Sequence, residues 1–565
     1  MIRSQMQSTS IKDNIRTWIS QLKKQYEVLD TIDCDLYTPD SIDLFNKIKT
    51  NYKAEYSSNQ RIILTFTKDY YKKYHPAIMF QSIQTMLNEI DISNSFVCIV
   101  STNPDLQNIS KWIAKNISSD PIPVHVYQAQ GKFTNISTTK NAYQKFSSIR
   151  HGSDIVDSMP DRIKHLLLDS KTFCILPWIS QYTTQDNMVK PCCHFSMHEA
   201  LGNAKKDTLK QIWNNKNTKQ LRLDMLAEKP IDACKVCYSK NQDYNDTTVF
   251  RVGYNRNFAH HYKKIVETNT DGSLDSFKLN HITYKPNNLC NLQCRMCNIY
   301  DSSSFYLVEK AIGNKVVGNA LKQSNPNLFD QYAEHVDNIE QVVFEGGEPL
   351  MMKETYDFVK MLDKNKRHNI HLQYITNMTH AGLGKDDVFK LWKNFNEITI
   401  YASLDAENDR GLYLRPGSYK WQQIVDFRKE MLKQRPDIFF NVQSTLSLLN
   451  ALHMPDFHKS WVEQGLVRPE HWIVNTLTNR KYLRVTTAPK FYKDKIRTKL
   501  EKHLEWLRPL DPYGKSTSGY LSVLHALEVD EPFDKHLFWQ QINKRDTHHG
   551  VNLYDCFPEL VDLPQ

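Results

Sequence analysis

The residues whose types and spacing most directly suggest chemistry are three cysteines in one short run, Cys290-Asn291-Leu292-Gln293-Cys294-Arg295-Met296-Cys297. Thiolates are the usual ligands of iron–sulfur clusters. Three of them on a four-iron cluster leave one iron open, and an open iron can bind a substrate. A fully ligated cluster can only pass electrons. Zinc, the competing reading, takes four ligands and often pairs two CxxC knuckles, which a lone CxxxCxxC does not match.

A second feature lies downstream. Glu345-Gly346-Gly347-Glu348-Pro349-Leu350 follows the strand-like run QVVF. Two glycines let a backbone approach a ligand closely, and the Glu348 carboxylate with nearby backbone groups can meet an ammonium. Upstream, Cys174, Cys192, Cys193, Cys234 and Cys237 form another constellation, in the order FCILPW, NMVKPCC and ACKVC. Two separated thiols plus a CxxC knuckle make a closed four-thiolate site, open by spacing alone to zinc or a four-iron cluster. Cys34, Cys98 and Cys556 stand alone. The pairs His260-His261 and His548-His549 form no HExxH motif and read as surface or capping residues, and there is no GxSxG elbow.

These residues resemble the radical S-adenosylmethionine (SAM) superfamily over roughly residues 277–480. The cysteine loop and the Gly-Gly-Glu-Pro turn match its first two signatures. Ile375-Thr376-Asn377, Ser403-Leu404-Asp405 and Tyr413-Leu414-Arg415-Pro416-Gly417 match later ones. The resemblance implies that Cys290, Cys294 and Cys297 hold a 4Fe–4S cluster that reduces SAM to methionine and a 5′-deoxyadenosyl radical. It also implies SAM contacts from Gly346, Gly347, Glu348, Pro349, Asn377, Ser403 and Arg415, with Asp405 beside them. Met296 stands where the family usually has an aromatic residue, and Met378 where it usually has glycine.

The upstream set resembles the twitch domain, a shortened form of the SPASM auxiliary-cluster domain. That resemblance implies one auxiliary 4Fe–4S cluster on Cys174, Cys192, Cys234 and Cys237, with Cys193 an inert buried thiol. Asn187 occupies a family glycine position, and asparagine tolerates the left-handed backbone better than most residues. The twitch domain usually follows the barrel; here it precedes it.

The elements that must position these residues can be read from periodicity. Strand candidates at 278–284, 340–344, 370–375, 397–404 and 438–446, with helical patterns between most of them, predict a partial (β/α) barrel of radical SAM type. Upstream, strands at 62–66, 96–100 and 124–127, with helices over Ala77–Met86 and 105–116, predict a small parallel α/β domain without a GxGxxG or P-loop. Residues 128–165 read as a linker with a short helix. A helix is expected from about Phe491 to Leu507. The expected organisation is an N-terminal α/β domain (1–165), a twitch domain (166–265), a radical SAM barrel (270–480) and a mainly helical C-terminal segment (481–565).

The chain has 565 residues, 72 basic against 63 acidic, a net +9 with no long basic block. Diffuse charge and no recognisable RNA module argue against nucleic acid. No apolar stretch approaches a membrane span. The N-terminus has no apolar h-region, so no signal peptide is expected. Eleven cysteines without an export signal then predict a cytoplasmic, reducing setting. By resemblance, the expected partners are a flavodoxin- or ferredoxin-like electron donor and a peptide, protein or small-molecule substrate. The expected reaction is hydrogen abstraction, as in peptide or protein modification. The alternatives are sugar or small-molecule dehydrogenation, or an iron–sulfur electron-transfer protein without SAM chemistry.

Overall fold

The computed structural model describes residues 159–196, 198–238, 250–511 and 514–564, together with the backbone of five strands further upstream. The chain divides into two units, Met1–Met159 and Pro160–Gln565.

In the first unit the strands are β1 (Asp30–Asp33), β2 (Arg61–Phe66), β3 (Phe96–Ser101), β4 (Val124–Gln130) and β5 (Lys132–Ser137). They form one sheet in sequential order. β1 to β4 pair in parallel, and β5 returns antiparallel to β4. The three expected strands are therefore present and parallel. β5 lies in the stretch expected to be linker, because its Lys-Phe-Thr-Asn-Ile-Ser pattern is half polar and resembles a loop in composition. The helices expected over Ala77–Met86 and 105–116, and Cys34, lie outside the described residues.

The second unit is built on a nine-stranded sheet. Its strands are β6 (Ser180–Thr183), β7 (Met188–Lys190), β8 (Gly202–Asn203), β9 (His281–Tyr284), β10 (Gln341–Phe344), β11 (His371–Thr376), β14 (Glu397–Ala402), β15 (Phe439–Leu446) and β16 (Trp472–Thr476). A small hairpin of β12 (Gly382–Leu383) and β13 (Asp386–Asp387) stands apart. The order in the large sheet is β16-β15-β14-β11-β10-β9-β6-β7-β8. Every pairing from β16 to β6 is parallel, and β6, β7 and β8 meander antiparallel.

Helices cover the crossovers, as parallel pairing requires. Lys353–Lys364 turns Tyr356, Val359 and Leu362 inward, and Trp421–Gln434 turns in Trp421, Ile424, Phe427 and Met431. β9 and β10 are buried along their whole length, which is why they read as short continuous runs. The C-terminal helices Lys490–Leu507, Thr517–Ala526 and Lys535–His549 belong to this same unit. Among the described residues no helix is long and apolar enough to cross a membrane.

Candidate active site

In a parallel sheet the loops leaving the carboxyl ends of the strands converge on one edge, and sites form there. Here Lys285 leaves β9, Glu345, Gly346 and Gly347 leave β10, Asn377 leaves β11 and Ser403 leaves β14. All of them line one cavity of about 550 Å³ with Cys290, Cys294, Cys297 and Arg415. The lining also takes in Tyr182, Lys190, Cys193 and Phe195 from the second cysteine segment. Of that segment's cysteines, Cys193 lines the chamber, whereas Cys174, Cys192, Cys234 and Cys237 do not.

The cysteine loop is held by its neighbours' backbones. The Gln293 amide donates to the Pro416 carbonyl at 2.7 Å and the Arg295 amide to Leu414 at 2.9 Å. Ser302 Oγ donates to the Leu292 carbonyl at 3.0 Å and Ser304 Oγ to Cys290 at 2.5 Å. Met296 and Tyr419 pack against Cys290, Leu292 and Cys294. Donors also reach the sulfurs: the Leu292 amide to Cys290 Sγ at 3.4 Å, Asn377 Nδ2 to the same sulfur at 4.0 Å, and Arg415 Nη1 to Cys294 Sγ at 3.6 Å. Such donors favour the thiolate form that iron requires. Burial works against them, pushing the free Cys290 thiol up to about 12 and raising Cys294 and Cys297 as well. Metal binding is what offsets that penalty, and it releases the thiol protons.

The glycine turn is tighter than its sequence suggests. A Cβ on Gly347 would stand 2.1 Å from the Leu289 carbonyl oxygen, and one on Gly346 2.8 Å from that of Asn287. Gly346 also holds φ +147°. The sequence pointed to a ligand as the reason for these glycines. The nearest neighbour is instead the chain entering the cysteine loop, although both glycines do line the cavity.

Glu348 and Pro349 are placed elsewhere. Glu348 is 0% exposed and is not among the lining residues. Its carboxylate accepts from Thr376 Oγ1 at 2.6 Å, the Asn377 amide at 2.6 Å and the Leu350 amide at 3.0 Å. It ties the turn after β10 to the turn after β11 through three donors of the chain. Pro349 is buried behind it. Arg415 is fixed by Asp405, Nε to Oδ2 at 2.7 Å, and Asp405 is itself buried and accepts from the Thr445 amide at 2.7 Å. The two residues that depart from family glycines, Met378 and Asn187, both adopt the left-handed backbone, with φ +64° and +65°. The turns survive the substitutions.

In the upstream segment, Cys174, Cys192, Cys234 and Cys237 are electrostatic neighbours of one another. Burial first, then mutual repulsion, raises the pKa values of Cys174, Cys192 and Cys234, to about 12 for the latter two. Among the described residues no three cysteine sulfurs lie within 4.8 Å of one another; the group of three that does is His260, His261 and Glu340. Tetrahedral zinc, with Zn–S near 2.3 Å, would draw four sulfurs to roughly 3.8 Å apart. Cys193 is not buried as expected. It is exposed and lines the chamber, where its neighbours include Glu345 and Lys285.

Sequence reasoning missed the chamber's charged residues. Lys285 donates to Asp301 at 2.7 Å. Burial alone would lower its pKa, but Tyr182, Asp301 and Glu345 outweigh that and keep it charged. Burial raises the pKa of Glu345. Glu345 was visible as the residue before Gly346; the Lys285–Asp301 pair carried no local signal. His260 and His261 each meet a different oxygen of Glu340 at 2.7 Å. They act together as a clasp ahead of β10.

Two domain models match this arrangement. The radical SAM superfamily model matches residues 284–444, and an iron–sulfur cluster-binding domain, SPASM, matches residues 174–238. The chain carries both domains. A radical SAM domain implies a 4Fe–4S cluster and SAM, and a SPASM domain implies auxiliary iron–sulfur. No curated protein matches the chain. Among solved structures it is similar to native anSMEcpe with bound AdoMet, at 16% identity over 40% of this chain and 59% of that one, TM-score 0.29. It is also similar to native anSMEcpe with AdoMet and the Kp18Cys peptide, at 16% identity over 42% and 62%, TM-score 0.30. A third is TYW1 with a lysine-pyruvate adduct bound, at 12% identity over 41% and 72%, TM-score 0.22. The chain thus spans 59% of the first of these chains.

Proposed function

We propose that the enzyme abstracts a hydrogen atom from a side chain of a peptide or protein inserted between its two cysteine sets. When bound, the cofactors supply one-electron cleavage of SAM and an electron acceptor or anchor for the substrate. The chain's residues orient and enclose. Cys290, Cys294 and Cys297 hold the first cluster; Asn377, Ser403 and Arg415, with the backbone of Gly346 and Gly347, are the candidate SAM contacts. Cys174, Cys192, Cys234 and Cys237 hold the second.

The observation that carries this reading is the chamber itself, one cavity of about 550 Å³ lined both by the open-iron motif and by Tyr182, Lys190, Cys193 and Phe195 of the auxiliary segment. With SAM against the open-iron motif, the remaining space suits one protruding group better than a whole molecule. Lys285, Lys190, Asp301 and Glu345 give it both signs of charge, suited to a polar or zwitterionic target.

The test supplies reduced enzyme and unlabelled SAM with deuterated cell-extract fractions, and follows deuterium into 5′-deoxyadenosine by mass spectrometry. Transfer from the peptide and protein fraction is expected. Transfer confined to small molecules would overturn the substrate class.

A further inference from the structure

The cysteine loop is tied down by two arginines, Arg295 within its own motif and Arg480 outside it, and both lead to one helix. Arg295, between Cys294 and Cys297, is 1% exposed. Its Nε donates to the Tyr413 carbonyl at 2.8 Å and its Nη2 to Asp546 Oδ1 at 2.6 Å. Its guanidinium lies 3.7 Å over the Tyr413 ring, whose hydroxyl donates to the same Asp546 oxygen at 2.9 Å. Arg480 donates through Nε and Nη2 to the Cys297 carbonyl at 3.1 and 2.6 Å. Its Nη1 stands 3.9 Å from Glu309, and Glu309 pairs with Arg545. Arg480 and Arg545 both lie over the ring of Phe305. Arg545 and Asp546 are consecutive residues of the helix Lys535–His549. Arg480 itself holds a left-handed backbone, φ +53°, which a residue with a Cβ keeps only when its surroundings enforce it.

We infer that the helix Lys535–His549 is an electrostatic clamp on the cysteine loop: through Asp546 on Arg295, and Arg545–Glu309 on Arg480, it fixes the loop and sets the reduction potential of the cluster bound there. The inference rests on the reading that Cys290, Cys294 and Cys297 carry a 4Fe–4S cluster.

Charges buried together act through a low effective dielectric and are weakly screened. Net charge around an iron–sulfur cluster is one of the terms that set its potential. Arg295 Nη1 is buried with no acceptor, so the balance of this cation depends heavily on the one carboxylate of Asp546. The neighbouring His549 is held down at about 4, by burial first and then by Arg295 among other cations, and stays neutral at pH 7. Removing the anion leaves a bare cation near the cluster and favours the reduced, more negative state. Removing the cation leaves a bare anion and does the opposite. A purely structural role would give both changes the same sign.

The test uses the full chain, anaerobically reconstituted, in redox titrations followed by electron paramagnetic resonance. The cluster in question is the one whose signal changes on adding SAM. Asp546→Asn is expected to shift its midpoint potential positive, Arg295→Gln negative, and the double variant back towards wild type. Shifts of one sign in both single variants, or none in either at full iron content, would overturn the clamp. Should Arg295→Gln take up no iron, Glu309→Gln decides: it leaves Arg480 and Arg545 unbalanced and must shift the potential positive. A Cys290→Ala variant whose iron content equals that of wild type would instead overturn the cluster reading beneath the inference.

Discussion

Adding one methyl group at Gly347 should cost the enzyme its SAM-site cluster. The Cβ of Gly347→Ala would stand 2.1 Å from the Leu289 oxygen, 2.4 Å from its carbonyl carbon and 2.5 Å from the Asn288 oxygen. Ordinary carbon–oxygen contacts begin at about 3.3 Å, so the two chain segments must part by roughly 1 Å. Neither neighbour is a flexible side-chain end. The Glu348 amide donates to that same Leu289 carbonyl at 2.8 Å, and the separation would break this bond. Overpacking costs about 1–3 kcal/mol and the lost hydrogen bond about 1 kcal/mol, so destabilisation of about 2–4 kcal/mol is expected. The displaced residue immediately precedes Cys290, and metal–ligand distances tolerate only about 0.2 Å. Iron and sulfide per chain after reconstitution should fall to what the auxiliary site alone retains, with a lower unfolding midpoint. Gly384→Ala is the control. Gly384 has φ +61° with nothing within 4 Å, so the change should cost about 1 kcal/mol and leave iron content full. Wild-type iron and wild-type stability in Gly347→Ala would refute the packing argument.

Two further outcomes follow from the site. Cys192→Ala should remove the auxiliary cluster while Cys193→Ala leaves iron content unchanged, because only Cys192 sits within the thiol quartet; equal iron loss in both would reject that assignment. Burial raises Glu348 to about 7 despite its three donors, whereas an unfolded glutamate titrates near 4.3. The native state therefore binds the extra proton between those values, and stability should fall as pH rises through that window. Glu348→Gln should flatten the fall in denaturation midpoints measured from pH 4.5 to 8, and an unchanged slope would place its origin elsewhere.

The strands that sequence reasoning found are those whose burial is written as apolar runs, such as Val342-Val343-Phe344 and Ile398 to Ile400. β6 escaped because Ser180-Gln181-Tyr182-Thr183 reads as a loop, yet all four residues are buried. Their side chains find distant partners: Ser180 pairs with His281, Gln181 Nε2 donates to the Leu209 carbonyl and Thr183 pairs with Tyr332. β16 ends in half-buried Asn475 and Thr476, whose polar types read as loop. At the site, thiols and glycines announce themselves by spacing. The pairing of Arg295 with Asp546 spans 251 positions, and no local pattern encodes a contact of that range. Cys193 was misjudged because adjacency to Cys192 shows neither which way each thiol points nor that one faces a chamber.

The parallel pairing of β6 with β9 sets an order of events during synthesis. Ser180 lies beside His281, 101 positions further along the chain. At about 5–20 residues per second, the ribosome delivers β9 about 5–20 s after β6. Throughout that interval β6 has no strand to pair with on that side, and its hairpin with β7 and β8 cannot join the sheet. Cys174, Cys192, Cys234 and Cys237 have all emerged by then, with their thiols ahead of the structure that will bury them. Putting the auxiliary segment before the sheet thus makes the nascent chain depend on a reducing surrounding for longer than the reverse order would.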